Sequence, residues 1–452
     1  MNKNYNFNTA IVFSCSICNL NCVYCNIDKN PALKELDDIL EDSFKGDYYF
    51  NRIKKYFNKD GLRTLETWGG EPLLKIERIF PLIDSLVKYY PNFQTFFSST
   101  NFSFANWPEK VMSLVECFEK YPLRRFHVQL QLSIDGPEYL NDLGRGNGTT
   151  QLCLNNYRRL LDLLKEHDSK NVKLSLHCKQ TLSSDAIDQL QTLDSVKEYY
   201  EFFDKEFLKP FEEKQLTWVE FTPSEPNTAV PSPITVKDGK KFAKLVKLCQ
   251  DLKEYNEINN ISLFGNKFVP FKCHSGACKL TNTYKEGPAG CGSGAMNGNI
   301  SFLPANMLCI CHLGFGEFVD KYKIYQTKSA KDNDEHKVIS FDKFIEETRF
   351  KSCLTEDQYD LFMDYVEAMS NQDSTNRMAH MVETIIALGE ANLINPKYAN
   401  RENALQGARY IANSCPFCIN DAINMNGTMG FQQIAMYKEI LNGVDDLVKE
   451  GD

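Results

Sequence analysis

Three cysteines set the chemistry that this chain can do. Cys18, Cys22 and Cys25 stand in the run CNLNCVYC, spaced C-x3-C-x2-C, directly after a first apolar stretch. Three thiolates on one tight loop can take three corners of a cubic 4Fe–4S cluster, and a cluster bound wholly by protein needs a fourth thiolate nearby. An open fourth iron is a place for chemistry, just as catalytic zinc sites keep one position free and structural ones close it. Cys15 lies three residues upstream and would close the set, giving an electron-transfer or zinc site instead. At the end of a strand it reads more simply as a small core residue. Structural sites favour paired C-x2-C knuckles over a triple of this kind.

A second constellation is Gly69-Gly70-Glu71-Pro72, inside TWGGEPLL. Two residues without Cβ let the backbone approach a ligand closely, and the carboxylate beside them can accept from an ammonium group. Standing alone, Gly-Gly-Glu-Pro would be an ordinary βα turn. Downstream of the cysteine triple, at the C-terminal rim of a sheet where α/β folds bind ligands, it gains specificity.

CNLNCVYC followed by WGGEP resembles the radical S-adenosylmethionine superfamily. The resemblance implies a partial (β/α)6 barrel holding a 4Fe–4S cluster on Cys18, Cys22 and Cys25. The amine and carboxylate of S-adenosylmethionine would chelate the fourth iron, and reductive cleavage would yield a 5′-deoxyadenosyl radical that takes hydrogen from a substrate carbon. It also implies that Tyr24, before the last cysteine, sits by the adenine. LSIDGPEYLNDLGRG, Leu132–Gly146, is similar to the fourth-strand segment of the sulfatase-maturase and peptide-modifying branch. That likeness puts Ser133 at the ribose and Arg145 at the cosubstrate carboxylate, with Asp135 of the same segment counted among the cofactor contacts. The residue chemistry agrees, since arginine pairs with carboxylates in a two-pronged fork. The plainer alternative is a turn at Asp135-Gly136-Pro137 with Arg145 in solvent. Ser99, with Thr100 and Asn101, ends the third strand and completes the rim.

A second cysteine set follows: Cys273, Cys278, Cys291, Cys309, Cys311, Cys353, Cys415 and Cys418. ISFLPANMLCICH reads as a hairpin, with strand Ile300–Leu303, a turn near Pro304–Asn306 and strand Met307–His312. Side chains alternate along a strand, so Cys309 and Cys311 share a face. The same branch carries a C-terminal SPASM or shorter twitch extension, which implies one auxiliary 4Fe–4S cluster on Cys291, Cys311, Cys415 and Cys418. Asn306 would replace the motif's glycine. Cys309 could replace Cys311, and Cys273 or Cys278 could supply a further ligand. A structural zinc on the same four thiolates is the other reading, because spacing separates the two metals poorly. His312 is a candidate acid–base group, as its ordinary pKa allows, or else a structural histidine beside the cluster. Lys179 and Glu220, on late strands, are either substrate contacts or paired charges at the core edge. Cys117, Cys153, Cys178 and Cys249 read as buried small hydrophobes.

These residues need a scaffold, and the apolar patterning supplies one. Strand candidates Thr9–Cys15, Thr64–Trp68, Phe93–Ser99, Phe126–Ile134, Val172–Gln180 and Thr217–Thr222 alternate with helical stretches Lys75–Tyr90, Pro108–Tyr121, Thr150–Glu166 and Asp185–Phe203. A further helix, Thr235–Asn259, follows the last strand. Parallel strands need crossover helices, so six βα units predict an α/β fold, a partial (β/α)6 TIM-like barrel. FHVQLQLSI alternates polar and apolar residues, as a strand facing a polar lumen would. PSEPNTAVPSP, Pro223–Pro233, holds four prolines and marks a hinge. The expected division is a barrel over 1–230, a linker helix over 231–270, and an iron–sulfur domain with C-terminal helices over 271–452.

Composition narrows the functions. The chain has 452 residues, 42% hydrophobic and 25% charged, as globular proteins do. With 51 Lys and Arg against 60 Asp and Glu the net charge is −9, a poor match to nucleic acid. No apolar run approaches the ~18–20 residues that span a bilayer, and Met1–Asn8 lacks a signal peptide's hydrophobic stretch. A cytoplasmic location is expected, where 16 cysteines serve metals better than disulfides. The resemblance implies an enzyme acting on a peptide or protein, with a flavodoxin- or ferredoxin-type reductant. Because the triple starts at residue 18, no leader-recognition module is expected before it, so the late helices or a peptide-binding partner take that role, or the substrate is not a leader-borne peptide. A small molecule such as an amino sugar, dehydrogenated or epimerised, is the alternative substrate. The alternative of another class is a non-catalytic metal scaffold or electron carrier.

Overall fold

The computed structural model describes residues 7–25, 33–223, 227–228, 238–264, 298–309, 314–331, 344, 348, 353–360, 382–383, 386–387, 389–390 and 400–402. Its strands are β1 (Thr9–Cys15), β2 (Thr64–Gly69), β3 (Thr95–Thr100), β4 (Phe126–Ser133), β5 (Val172–Lys179), β6 (Thr181–Leu182), β7 (Val219–Phe221), β8 (Asn227–Thr228), β9 (Asn299–Phe302), β10 (Met307–Cys309) and β11 (Cys353–Thr355). The helices that matter below are α1 (Leu33–Phe44), α2 (Tyr48–Tyr56), α3 (Phe80–Tyr89), α4 (Trp107–Glu119), α5 (Glu138–Arg145), α6 (Thr149–Glu166), α7 (Ser184–Gln189), α8 (Leu193–Phe203), α9 (Lys209–Lys214), α10 (Asp238–Ile258) and α11 (Gly314–Lys331).

Strands β1, β2, β3, β4, β5 and β7 lie side by side in chain order, each parallel to the next. An order without reversal sends every right-handed crossover to one face, the arrangement of a barrel wall and not of a doubly wound sheet. This is the six-stranded α/β wall that the patterning predicted. Ala10, Val12, Leu65, Phe96, Val128, Leu130, Leu132, Leu174 and Leu176 bury their side chains in the main core with the helices. Along β4 these alternate with half-buried His127, Gln129, Gln131 and Ser133, which therefore line the opposite, concave face.

Two helices differ from expectation. Asp185–Phe203 is broken into α7 and α8, because Ser183 caps one start and Thr192 with Ser195 forms a capping box at the other. Both caps satisfy backbone donors that a continuous helix would not expose. Pro72–Ile79 is a 3-10 stretch kinked at Lys75, and only then does α3 begin.

The hairpin sits where the sequence puts it, and Ala305 and Asn306 turn it with φ of 55° each, a region that asparagine tolerates better than most residues. Less expected is its attachment. β9 pairs parallel with β1, β10 antiparallel with β9, and β11 antiparallel with β10, so the hairpin continues the barrel sheet past β1. Buried Arg52 of α2 holds it there, donating to the Leu303 carbonyl at 2.5 Å and the Met307 carbonyl at 2.8 Å, with Glu356 at 3.3 Å. A second apolar cluster fills the concave face at this end. Ile11 and Phe13 of β1 meet Phe315, Phe318, Val319 and Tyr322 of α11, with the Phe13 and Phe315 rings stacked at 4.9 Å. No helix among the described residues is long and apolar enough to cross a membrane.

Replacing Arg52 with Met keeps the bulk and leaves two buried carbonyls without their charged donor. The expected loss is about 2–3 kcal/mol of unfolding free energy, read from urea titrations of R52M and wild type. A difference below about 0.5 kcal/mol, the scatter of surface substitutions, would show that the hairpin is held by something else.

Candidate metal centre and cofactor pocket

The loop that leaves β1 carries Cys18, Cys22 and Cys25, which are the only half-exposed thiols among the described residues. The others are buried, and burial pushes Cys117 up to about 11 and Cys249 up to about 12, with Cys15, Cys153 and Cys178 raised further. Among the described cysteines only the triple is partly exposed, so the donor set open to a metal here is the triple. Cys15 is fully buried and its Sγ faces the Ile17 carbonyl at 3.3 Å. Among the described residues no three Cys, His, Asp or Glu side chains converge on a single ion. A cubane, held by one thiolate per iron, asks for no such convergence.

One side of the loop rests on the Gly-Gly-Glu-Pro turn. Gly70 N–H donates to the Cys15 carbonyl at 2.7 Å and Glu71 N–H to the Ile17 carbonyl at 2.8 Å. A Cβ on Gly69 would lie 1.9 Å from the Cys15 oxygen, and one on Gly70 would lie 2.2 Å from the Ile17 oxygen. The missing Cβ atoms let these glycines pack directly against the backbone of the cysteine loop. Glu71 itself is held by internal donors. It is 1% exposed, and its carboxylate accepts from Leu73 N–H at 3.1 Å, Thr100 Oγ1 at 2.8 Å and Asn101 N–H at 2.6 Å. That bracket ties the end of β2 to the end of β3. Pro72 is buried at the first position of the 3-10 stretch, where its missing N–H costs nothing.

The other side of the loop is fastened to α5. Val23 N–H donates to the Gly144 carbonyl at 2.9 Å, and the Tyr24 hydroxyl donates to Asp135. Arg145 is buried, not in solvent: Nε and Nη2 each reach Asp135 at 2.9 Å, and the guanidinium lies over the Tyr24 ring at 5.5 Å. Asp135 Oδ1 also accepts from Thr181 N–H at 2.9 Å. Burial raises the Tyr24 pKa well above its ordinary value, which keeps the hydroxyl a donor. The fork expected to meet a cosubstrate carboxylate is thus filled by an internal one, with Nη1 of Arg145 left for any second partner. Tyr24 is tied to the same carboxylate.

The concave face falls into rows when the strand registers are followed. Glu66 lies level with Phe97, Gln129, Ser175 and Glu220. One step toward the strand ends, Ser99 Oγ donates to Gln131 Oε1 at 2.8 Å, and Gln131 Nε2 lies 3.4 Å from His177 Nε2. Above them Ser133 stands opposite Lys179, level with the cysteine loop. Burial lowers the His177 pKa to about 4, so its ring is neutral. Burial also raises Glu66 to about 7, against smaller opposing effects of its bond from Trp68 Nε1 and the charge of Lys179. Glu220 lies nearer the strand starts, paired with Lys173 and Ser175, which hold it below the ordinary carboxylate range. Of the two late-strand candidates, Lys179 is on the rim side.

Sequence reasoning overlooked Glu66, and it gave no role to Asn19 or Ser103. It counted Asn101 only as a rim residue. Cys309 is buried opposite Cys353 across the β10–β11 pair, with the sulfurs 3.6 Å apart. Cys273, Cys278, Cys291, Cys311, Cys415, Cys418 and His312 lie outside the described residues.

No protein-family model matches the chain, and no curated protein matches it. Among solved structures it is similar to native anSMEcpe with bound AdoMet, at a TM-score of 0.39 and 20% identity over 68% of this chain and 74% of that one. A hexahistidine-tagged form of anSMEcpe with bound AdoMet gives 0.39 and 19% over 68% and 72%. SuiB of Streptococcus suis gives 0.37 and 14% over 68% and 61%. These are distant likenesses.

Glu66 offers a test of the concave face. Its folded pKa of about 7 stands above the ordinary 4.5, so the folded state keeps the proton longer and stability falls as pH rises through that window. Glu66→Gln removes this loss. Its stability relative to wild type should therefore grow by about 3 kcal/mol between about pH 4 and pH 8, measured by urea titration at each pH. A difference that stays constant with pH would place Glu66 in water.

Proposed function

We propose that the chain is a radical S-adenosylmethionine enzyme that takes hydrogen from a carbon of a peptide or protein. The observation that carries this reading is the loop of three half-exposed thiols, Cys18, Cys22 and Cys25, clamped on both sides at the C-terminal ends of six parallel strands. These three residues fit a 4Fe–4S cluster by donor type, number and exposure, with one iron left for an outside ligand. When bound, such a cluster supplies the electron that splits S-adenosylmethionine into methionine and a 5′-deoxyadenosyl radical.

The chain's own residues then have definite tasks. Gly69 and Gly70 hold the loop at a fixed height above the sheet. Asp135 holds Arg145 and Tyr24 together, which leaves Nη1 of the guanidinium outside the pair to take an incoming carboxylate. Ser99 and Ser133 supply hydroxyls at the rim for a ribose. Gln131, His177 and Lys179 make the concave face polar, which suits a substrate that hydrogen-bonds through amides and leaves a C–H group near the rim. An auxiliary cluster on Cys291, Cys311, Cys415 and Cys418, and a flavodoxin- or ferredoxin-type electron donor, belong to the same proposal.

Anaerobic reconstitution with iron and sulfide, iron counting and an assay for 5′-deoxyadenosine test it together. The expected result is about eight irons per chain, falling to about four in the C18A/C22A/C25A variant, with 5′-deoxyadenosine formed only by the wild type. Cleavage that survives the triple substitution, or zinc in the anaerobically purified triple, would defeat the proposal.

A further inference from the structure

Asn101 closes β3 at the point where that strand meets the cysteine loop, and its amide is fully engaged. Its Oδ1 accepts twice, from Ser103 N–H at 3.1 Å and Ser103 Oγ at 2.9 Å. That fixes which way the amide faces, because only the oxygen can accept both donors. The two protons of Nδ2 are then turned to the loop, one to Asn19 Oδ1 at 2.9 Å and one to Cys18 Sγ at 3.4 Å. Asn19 Nδ2 returns to Ser103 Oγ at 2.9 Å, and Leu20 N–H points at the same sulfur from 3.5 Å. Asn101 N–H is held by Glu71 Oε2, so the residue cannot swing away. It is 7% exposed.

A proton donor aimed at a thiolate draws electron density off the sulfur. For an iron–sulfur centre that favours the reduced form, whose extra negative charge the donor stabilises more, and the potential rises. The donor here is an amide, so it cannot titrate away. We propose that Asn101, oriented by Ser103 and Asn19, is a positioning residue that raises the reduction potential of the cluster held by Cys18. This rests on the cluster assignment above. It gives the fixed geometry around Glu71 a second purpose: the bracket that joins β2 to β3 also aims the amide. It ties the Cys18 sulfur to the barrel wall itself.

The test is a redox titration of the reconstituted full chain followed by electron paramagnetic resonance. The signal to follow is the one missing from C18A/C22A/C25A. Asn101→Leu keeps the size and removes the donor, and should shift that midpoint downward by up to about tenfold in the reduction equilibrium, about 59 mV for one electron. Asn101→Asp replaces the donor with negative charge and should shift it further the same way. Asn19→Ala, on the exposed side, frees one amide proton without disturbing the buried bracket, and should give a smaller downward shift. Ser103→Ala leaves Ser103 N–H to orient the amide and should leave the midpoint in place. If Asn101→Leu fails to assemble, Asn19→Ala against Ser103→Ala decides. Normal iron with an unmoved midpoint in both Asn101→Leu and Asn19→Ala overturns the inference alone. A chain that takes up no iron on the triple overturns the cluster assignment and this inference with it.

Discussion

Where the Gly70 amide meets the Cys15 carbonyl, two backbones run closer than any side-chain carbon permits. A Cβ at Gly69 or Gly70 would fall about 2 Å from a carbonyl oxygen of the cysteine loop, far inside van der Waals contact. The loop's height above the sheet is therefore set by hydrogen bonds between main chains, which side-chain motion cannot loosen. Everything ascribed to Cys18, Cys22 and Cys25 depends on that contact, since a ligand set is only as well placed as the backbone beneath it. Glu71 shows the cost of building it. A carboxylate is taken out of water and satisfied by three internal donors, because a buried charge is tolerable only when its lone pairs are filled.

The far side of the loop is held by charge. Asp135 gathers the Arg145 fork, the Tyr24 hydroxyl and the Thr181 amide around one carboxylate. One group thus joins the cysteine loop, α5 and the start of β6. The same group decides what Arg145 can offer to a ligand. With Nε and Nη2 committed to Asp135, one nitrogen of the guanidinium lies outside the pair. The concave face below is apolar near β1, where α11 packs on Phe13, and polar from β3 to β5.

Much of this was legible in the residues. Strand β1 starts and ends where its apolar run does, and the β4 alternation named the concave face because a strand has a two-residue period. The turn at Asn306 was readable from proline and asparagine chemistry alone. The break between α7 and α8 was readable too, in Ser183 and in Thr192 with Ser195, but a continuous apolar stripe masked the caps. The attachment of β9 to β1 was not legible, since the pairing of Thr9 with Asn299 joins residues too distant along the chain to leave a local signature. Nor were the true partners of Glu71 and Arg145. Residue type foretells that glutamate wants donors and arginine wants a carboxylate; only the fold says that Thr100, Asn101 and Asp135 get there first. Asn101 was hidden for the same reason, as an asparagine at a strand end looks like any turn former.

The central claim is that one corner of a cluster on Cys18, Cys22 and Cys25 is open to S-adenosylmethionine. Its most direct measurement is the electron paramagnetic resonance spectrum of the reduced, reconstituted chain, recorded before and after S-adenosylmethionine is added. The account predicts that the signal lost in C18A/C22A/C25A changes its g-values on addition, as an amine and a carboxylate take the open iron. A signal that stays the same at saturating S-adenosylmethionine would contradict it.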